Sequence, residues 1–231
     1  YPSLESRMVR SKRELAVFLS KLDVFKRPKA ALEQYPTDSQ IAADLLWNAY
    51  MEGAIDGKRV IDLGCGGGIL GIGALCLGAS FVSFVDKDAA VEQLLLGNID
   101  LADEYWDFPD ALSSRFSFKQ SDVRRLVHDH VDTVLMNPPF GTRMPHADVA
   151  FLHTAMTLAD AVYTMHKTST AQFIEDTAMQ HGFELLWREH VHFPLKSTMD
   201  QHRKRIQRIA VTVFCFNRGE KESLSQFIKK Q

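Results

Sequence analysis

Hydrophobic positions near the start of the chain recur at the spacing of an amphipathic helix. They are three or four residues apart, so they share one face of a helix. This apolar stripe consists of Leu15, Phe18, Leu19, Leu22 and Phe25. Because the stripe needs a surface to cover, we expect residues 1–34 to be a helical extension packed against the main domain, residues 35–231. After Pro36, either Thr37 or Asp38 is a suitable N-cap for a second helix.

From residue 59 onward, short apolar segments alternate with amphipathic ones, as in strands that alternate with helices. The predicted strands are residues 59–63, 81–85, 116–119, 132–136, 161–165, 183–193 and 206–216. The predicted helices are residues 69–78, 88–98, 147–160 and 171–181, with a polar and aromatic insertion at about 103–115. The alternation predicts an α/β fold with a seven-stranded, mostly parallel sheet, helices on both faces and a C-terminal antiparallel hairpin. This arrangement is typical of class I Rossmann-type methyltransferases rather than of dehydrogenases.

The composition restricts the class of protein. The 231 residues suffice for one large α/β domain and are few for two. No apolar run reaches the roughly 18–20 residues that cross a bilayer, and no signal peptide is visible. The three cysteines include no CxxC pair, which favours reduced thiols in a cytoplasmic or nuclear protein over disulfides or a zinc site. The nine histidines are not spaced like metal ligands, so we predict no metal. With a net charge of −2, a nucleic-acid partner requires a local basic patch.

Acidic residues and glycines lie where the first three predicted strands end. Glycines at positions 64, 66 and 68 allow a sharp turn and a close approach of the backbone to a ligand. Asp62 suits the cationic amino-acid end of S-adenosylmethionine, and Asp86, at the end of the second strand, suits a ribose diol. A nicotinamide dinucleotide would satisfy Asp86 equally, so this pair narrows the choice of cofactor without deciding it. Asp122 is placed to accept a hydrogen bond from the adenine amine of the cofactor, with the Val123 amide facing the ring.

The most specific motif is Asn137-Pro138-Pro139-Phe140, at the end of the fourth predicted strand. The exocyclic amine of an aromatic base is a weak nucleophile because its lone pair is delocalised into the ring. If the Asn137 side-chain oxygen and the Pro138 carbonyl accept its hydrogens, the lone pair is directed at the methyl group and transfer proceeds in line. The two prolines stiffen the backbone, and Phe140 offers a face on which an extruded base can stack.

The motif alone leaves the substrate open. The acceptor is a planar, conjugated nitrogen, which fits adenine, cytosine, guanine or the side-chain amide of glutamine. Families that modify glutamine tend to carry tyrosine in place of Phe140, which favours a base. Two alternatives therefore stand beside RNA methylation: a protein glutamine N-methyltransferase, and a catalytically silent RNA-binding scaffold subunit.

With these motifs the chain resembles the methyltransferase-like protein five family, which makes N6-methyladenine in small-subunit ribosomal RNA. The resemblance covers about residues 13–216. It rests on Phe-Lys-Arg-Pro-Lys at 25–29, Leu-Glu-Gln-Tyr-Pro-Thr at 32–37, the glycine segment at 62–68, Met-Asn-Pro-Pro-Phe-Gly-Thr at 136–142, Ala-Phe-Leu at 150–152 and Val-Tyr-Thr-Met-His-Lys at 162–167.

The resemblance implies the cofactor S-adenosylmethionine, an adenine site at residues 137–140, and a heterodimer with a small zinc-ribbon activator subunit. It also implies that two residues, Gln34 and Thr37, close over the cofactor. They would do so beside Gly64, Gly67, Ile69, Asp86, Asp122 and Val123. The chain departs from the family in two places. It has Gly67 where the family often has a second cysteine, a change that should be harmless in a loop, and its insertion at about 103–115 is longer than the usual connection.

Basic residues precede the last predicted strand. They are Arg203, Lys204, Arg205 and Arg208, and we expect them to contact RNA phosphates. His166 and Lys167 end the fifth strand, next to the expected substrate, so Lys167 is a further candidate for RNA binding. A structural role for His166 is as plausible as a substrate contact.

Overall fold

The computed structural model describes residues 9–25, 36–108, 110–140, 147–195 and 207–219. The helices are α1 (Lys12–Leu19), α2 (Ser39–Met51), α3 (Ile69–Cys76), α4 (Val91–Tyr105), α5 (Ala147–Leu158) and α6 (Ala171–Gln180). The strands are β1 (Arg59–Leu63), β2 (Phe81–Asp86), β3 (Phe116–Gln120), β4 (Val131–Met136), β5 (Ala159–Lys167), β6 (Phe183–Leu195) and β7 (Gln207–Arg218).

The seven strands form one sheet in the order β3-β2-β1-β4-β5-β7-β6. Strands β1 to β5 are parallel, whereas β7 is antiparallel to both of its neighbours, β5 and β6. The parallel part results from helices that return the chain between strands, and the hairpin from the direct connection of the last two strands. The predicted class I methyltransferase fold is therefore confirmed.

Two hydrophobic layers hold the helices on opposite faces of the sheet. Buried side chains of α1 to α4 share one cluster with β1 and β2, and those of α5 and α6 share another with β4 and β5. Within α1, Leu15, Phe18 and Leu19 are buried, as the apolar stripe predicted. This helix begins after Ser11, whose hydroxyl accepts a hydrogen bond from the Glu14 amide at 3.2 Å. The rest of the predicted helical extension, residues 1–8 and 26–34, lies outside the described residues.

The fourth helix is longer than the sequence pattern predicted. We expected it to end at residue 98, but α4 continues to Tyr105. Ile99 and Ala102 extend its buried face, and Trp106 is 2% exposed because its ring packs against Phe18 with centroids 5.5 Å apart. The first part of the predicted insertion is thus an amphipathic helix end, stabilised by contacts with α1. Among the described residues, no helix is long and apolar enough to span a membrane.

The C-terminal hairpin extends beyond the parallel strands. The last residue of β5, Lys167, pairs with Val211, whereas the β6–β7 ladder continues to the pair of Leu195 and Gln207. Four further residues of each strand correspond to about 13 Å at the usual rise per residue. This extension lies on the side of the sheet where the carboxyl ends of β1 to β5 meet.

Candidate active site

A cavity of about 340 Å³ lies where β1, β2, β3 and β4 end. Its position beside β1, which β2 and β4 flank, is the point at which the strand order reverses and where open α/β sheets bind ligands. Most of the predicted site residues contribute to its wall. These are Thr37, Asp62, Gly64, Gly67, Ile69, Asp86, Asp122, Val123, Asn137 and Pro139.

The loop after β1 forms one wall of the cavity. Gly64 has a φ of 76°, and a Cβ at this position would lie 2.7 Å from the Phe151 ring, so both the backbone and the close packing require glycine. The amides of Gly64 and Cys65 donate to the carbonyl of Val85, at 2.8 and 3.0 Å. These bonds fix the loop against the end of β2.

Asp62 is the most deeply buried carboxyl group of the site. It is 2% exposed, and its Oδ2 accepts a hydrogen bond from the Gly71 amide at 2.8 Å. Burial raises the pKa of Asp62 to about 7, and the nearby Asp86 adds to the rise, although the bond from Gly71 opposes it. A cationic group bound in the cavity would favour the ionised carboxylate, which fits the amino-acid end of S-adenosylmethionine.

Asp86 ends β2 and organises the turn that follows. Its two carboxylate oxygens accept hydrogen bonds from the amides of Gly66 and Asp88, at 3.0 and 2.9 Å. Burial nevertheless raises the pKa of Asp86 above its usual value. The carboxylate stands on the cavity wall, where the predicted contact with a ribose diol would occur.

Asp122 acts as a helix cap and also reaches the cavity. Its side chain accepts a hydrogen bond from the Arg124 amide at 2.9 Å, at the start of a short 3₁₀ turn. That bond lowers the pKa of Asp122, and the Arg124 guanidinium contributes to the same effect. The structure therefore shows the capping role, while the predicted contact with the cofactor adenine stays a prediction.

Asn137, directly after β4, has one half of its side-chain amide fixed and the other half unused. Its Nδ2 donates a hydrogen bond to Thr37 Oγ1 at 2.9 Å. Its Oδ1 is buried and finds no partner among the described residues. A buried acceptor without a donor is costly, so it indicates a site where a ligand supplies one. The Thr37 contact brings two residues 100 positions apart in sequence to the same wall.

The remaining members of the motif divide between the cavity and the core. Pro139 lines the cavity, whereas Pro138 is buried. Phe140 is only 8% exposed, and its ring packs edge to face against Phe193 of β6, with centroids 5.9 Å apart. The hairpin therefore holds the Phe140 ring in this structure. The ring is too buried to offer an open face to a base, so its stacking on a base stays a prediction.

Several residues that line the cavity were absent from the sequence prediction. Residues 22–25, which we call the strap, follow α1 and cover the glycine loop, and Ala150 and Phe151 of α5 close another side. The apolar stripe predicted that Leu22 and Phe25 pack on the domain, but it gave no indication that they reach the cofactor cavity. Asn98 of α4, which joins the strap to the loop, was also missed.

The two predicted RNA-binding residues that the structure describes, Lys167 and Arg208, do not line this cavity. Lys167 ends β5, and Arg208 lies on the hairpin, where it pairs with Pro194. Gln34, Arg203, Lys204 and Arg205 are outside the described residues. His166 is 1% exposed; its Nε2 is 2.8 Å from Thr164 Oγ1 and its Nδ1 is 3.8 Å from Asp148 Oδ2. Burial lowers the pKa of His166, and these contacts favour the structural role.

Comparisons with known proteins give the family of this fold and site. A family model described as "Conserved hypothetical protein 95" matches residues 31–185. The rRNA N(6)-adenosine-methyltransferase METTL5 of Danio rerio is 34% identical over 210 residues, which cover 88% of this chain and 97% of the relative. The Drosophila melanogaster protein of the same name is 34% identical over 214 residues, 90% of this chain and 96% of the relative.

The chain belongs to the METTL5 family. A solved structure from Pyrococcus horikoshii, described as a candidate RNA methyltransferase, superposes with a TM-score of 0.80 at 39% identity and covers 91% of this chain and 99% of its own. As a member of the METTL5 family, the chain is a methyltransferase that uses S-adenosylmethionine. The cavity fits this cofactor, since the buried carboxylate of Asp62, the carboxylate of Asp86 and the glycine loop line one space.

Proposed function

We propose that this METTL5-family methyltransferase transfers a methyl group to N6 of an adenine in RNA, specifically in small-subunit ribosomal RNA. The proposal rests on the relatives, whose names specify rRNA adenosine N6, and on the chemistry of the Asn137 amide. The substrate base is extruded from its strand, and the methyl group moves to it in line, without a covalent enzyme intermediate.

The observation that carries the proposal is the Oδ1 of Asn137 on the cavity wall, a buried acceptor to which none of the described residues donates. An acceptor held there attracts one hydrogen of an exocyclic amine, and the Pro138 carbonyl is expected to accept the other. Both hydrogen bonds draw the lone pair away from the ring and toward the methyl group. Because Thr37 occupies Nδ2, the amide presents its oxygen rather than its nitrogen to the substrate.

Bound S-adenosylmethionine supplies an electrophilic methyl group on a sulfonium. The residues of this chain bind and orient it. Asp62 and Asp86 would hold the amino-acid end and the ribose, the glycine loop would line the space between them, and Asp122 and Val123 would receive the adenine ring. No side chain needs to act as a general base before transfer, because the attacking lone pair is already present on the neutral amine. The C–S bond would break as the C–N bond forms, S-adenosylhomocysteine would leave, and the methylated nitrogen would then lose one proton to water.

RNA is proposed to approach along the side of the sheet where the carboxyl ends of the parallel strands meet. Lys167 ends β5 at this edge, and Arg208 stands on the hairpin that extends beyond it. The basic residues at 203–205 belong to the connection between β6 and β7. Their charges would meet phosphates and supply the attraction that the whole chain, with its net charge of −2, lacks.

We also propose a heterodimer with a small zinc-ribbon activator that pairs with β3. This strand lies at an edge of the sheet and pairs only with β2 among the described residues. Phe118 on it is half-buried, and Val127, whose carbonyl accepts a hydrogen bond from Lys119, is 80% exposed. An unpaired edge with apolar side chains is suited to strand addition by a partner.

The test is mass spectrometry of nucleosides from small-subunit rRNA, prepared from cells without the protein and from cells complemented with wild type or Asn137→Ala. We expect N6-methyladenosine to disappear at one position and to return with wild type only. Purified Asn137→Ala should lose the chemical step by at least about 100-fold, comparable to the loss of one preorganised active-site hydrogen bond, and bind S-adenosylmethionine within a few-fold of wild type.

Three outcomes would contradict the proposal. If Asn137→Ala retains more than about a tenth of wild-type turnover, the amide does not hold the amine. If the rRNA nucleosides are unchanged and a protein glutamine loses its methyl group, the chain is a glutamine methyltransferase. Unchanged methylation of both would favour the silent scaffold.

A further inference from the structure

Asn98 is a buried polar residue of α4 whose whole side-chain amide is engaged. It is 1% exposed. Its Oδ1 accepts a hydrogen bond from the Asp23 amide at 2.7 Å, and its Nδ2 donates to the carbonyls of Asp23 at 3.0 Å and Gly67 at 2.8 Å. The three partners are all backbone groups, so the contacts constrain the course of the chain rather than the side chains of Asp23 or Gly67.

These three bonds join two segments that are far apart in sequence. Asp23 belongs to the strap, 75 residues before Asn98, and Gly67 belongs to the glycine loop, 31 residues before it. The strap lies directly on the loop, since a Cβ at Gly67 would stand 3.2 Å from the Asp23 carbonyl oxygen. Both segments line the same cavity.

The Asn98 amide adds directional hydrogen bonds to a strap that is otherwise held by the packing of Leu22 and Phe25 on the core. Leu22 is 8% exposed, but Val24 is 55% exposed and the Asp23 side chain is also exposed. Without the Asn98 amide, two strap backbone groups and one loop carbonyl would lose their partners. Ordering a free strap during binding would cost conformational entropy, which lowers the observed affinity for the ligand beneath it.

We propose that Asn98 is a positioning residue for the cofactor site: it clamps the strap over the glycine loop and so preorganises the wall that covers S-adenosylmethionine. Asn98 acts through Asp23 and Gly67 and has no contact with the reacting atoms. This role concerns the cofactor alone and is independent of which substrate the enzyme methylates.

Two substitutions separate this role from general stability. Asn98→Ala removes all three bonds. Asn98→Asp retains an acceptor for the Asp23 amide but sets a carboxylate against two carbonyl oxygens, so it should open the strap at least as much. The matched control is Thr133→Val, which removes the 2.6 Å hydrogen bond from the buried Thr133 hydroxyl of β4 to the Ala54 carbonyl; neither residue lines the cavity.

The experiment is titration calorimetry of the full chain, co-purified with the proposed activator where the chain alone is insoluble, with S-adenosylmethionine and with S-adenosylhomocysteine, together with amide hydrogen exchange of the strap. We expect the Kd of Asn98→Ala to rise about tenfold or more for both ligands, whereas Thr133→Val stays within about twofold. Exchange over residues 22–25 should accelerate in Asn98→Ala and Asn98→Asp, and the bound cofactor should slow it in wild type.

The comparison must be made well below the melting temperatures of all variants, so that a loss of stability does not mimic weaker binding. If Asn98→Ala binds both ligands as wild type does, or if the strap exchanges at the wild-type rate, the clamp is not a positioning device. An equal loss of affinity in Thr133→Val would likewise overturn the proposal, because it would reduce Asn98 to a contributor to stability. None of these readouts depends on RNA, so their failure leaves the proposed function to its own test.

Discussion

Replacing Thr37 by valine tests how the catalytic amide is oriented. In the structure, the Thr37 hydroxyl accepts a hydrogen bond of 2.9 Å from Asn137 Nδ2, while Asn137 Oδ1 has no partner among the described residues. Valine has nearly the shape of threonine but offers no acceptor. The amide of Asn137 would then lose its fixed orientation and leave Nδ2 unpaired in its half-buried position.

The expected loss follows from the energy of that hydrogen bond. A net contribution of about 1–2 kcal/mol corresponds to a rate reduced by about 5- to 30-fold if the bond orients the amide in the transition state. Thr37→Ser keeps the hydroxyl and should lose little. Because Thr37 also lines the cofactor cavity, affinity for S-adenosylmethionine must be measured separately.

Single-turnover methyl transfer at saturating S-adenosylmethionine isolates the chemical step, and calorimetry gives the cofactor Kd. We expect Thr37→Val to slow the chemical step, Thr37→Ser to retain it, and the double variant with Asn137→Ala to be no slower than Asn137→Ala alone. A Thr37→Val enzyme with the wild-type single-turnover rate would refute the reasoning. A loss confined to Kd would reduce Thr37 to the cofactor contact that the family resemblance implies.

Three further changes address charge. Asp86→Ala should weaken cofactor binding by about 1.5–3 kcal/mol in calorimetry, and unchanged affinity would remove Asp86 from the site. Burial raises the pKa of Asp62 from 3.8 to about 7, so the stability linked to its proton is full below about pH 4 and is lost as the pH rises through 7. Asp62→Asn should therefore raise the free energy of unfolding of the cofactor-free protein by up to about 4 kcal/mol more at pH 8 than at pH 4, as measured by urea unfolding. The same variant should bind the cofactor more weakly. Wild-type and variant stabilities that change with pH in parallel would contradict this. Alanine at residues 203–205 and Arg208 should flatten the salt dependence of RNA binding without affecting cofactor binding, and an unchanged slope would assign these charges to a solvated surface.

The sequence predicted the parts of this molecule that depend on local pattern. Strand ends in a parallel sheet meet at one edge, so Asp62, Asp86, Asp122 and Asn137 could be placed together once their strands were recognised. The mostly parallel seven-stranded sheet followed from the alternation of strands and helices, and its antiparallel part from the final hairpin. The predicted length of α4 was wrong because the end of this helix is stabilised by contacts with Phe18, which no local sequence pattern indicates.

The contacts that complete the site join distant segments, which explains why the sequence did not reveal them. Asn98 could be identified only as a polar residue within an amphipathic helix, since its partners are backbone groups of the strap and the loop. Phe140 was expected to face the substrate on the strength of its motif. Its packing against Phe193 depends on how far β6 extends past β5, which is a property of the folded hairpin.

The edge strand β3 provides the last prediction, which concerns the partner. We expect the chain alone to be poorly soluble or unstable, because Phe116 and Phe118 are only half-buried on an edge that β2 alone pairs among the described residues. Co-expression with the zinc-ribbon activator should rescue it by pairing with β3 through main-chain hydrogen bonds.

Phe118→Asp places a charge on that edge and should abolish co-purification of the activator. Its matched control is Leu186→Asp on β6. Leu186 is 53% exposed on the opposite edge strand of the sheet, and its replacement by aspartate introduces the same charge there. Equal melting temperatures of the two isolated variants would show that a difference in binding is local. The rival arrangement is that the aromatic residues of the insertion cover the edge within the chain, and Trp106 is indeed buried, although against Phe18 of α1. A soluble and fully active monomer, with Phe118→Asp as able to bind the activator as Leu186→Asp, would establish that rival.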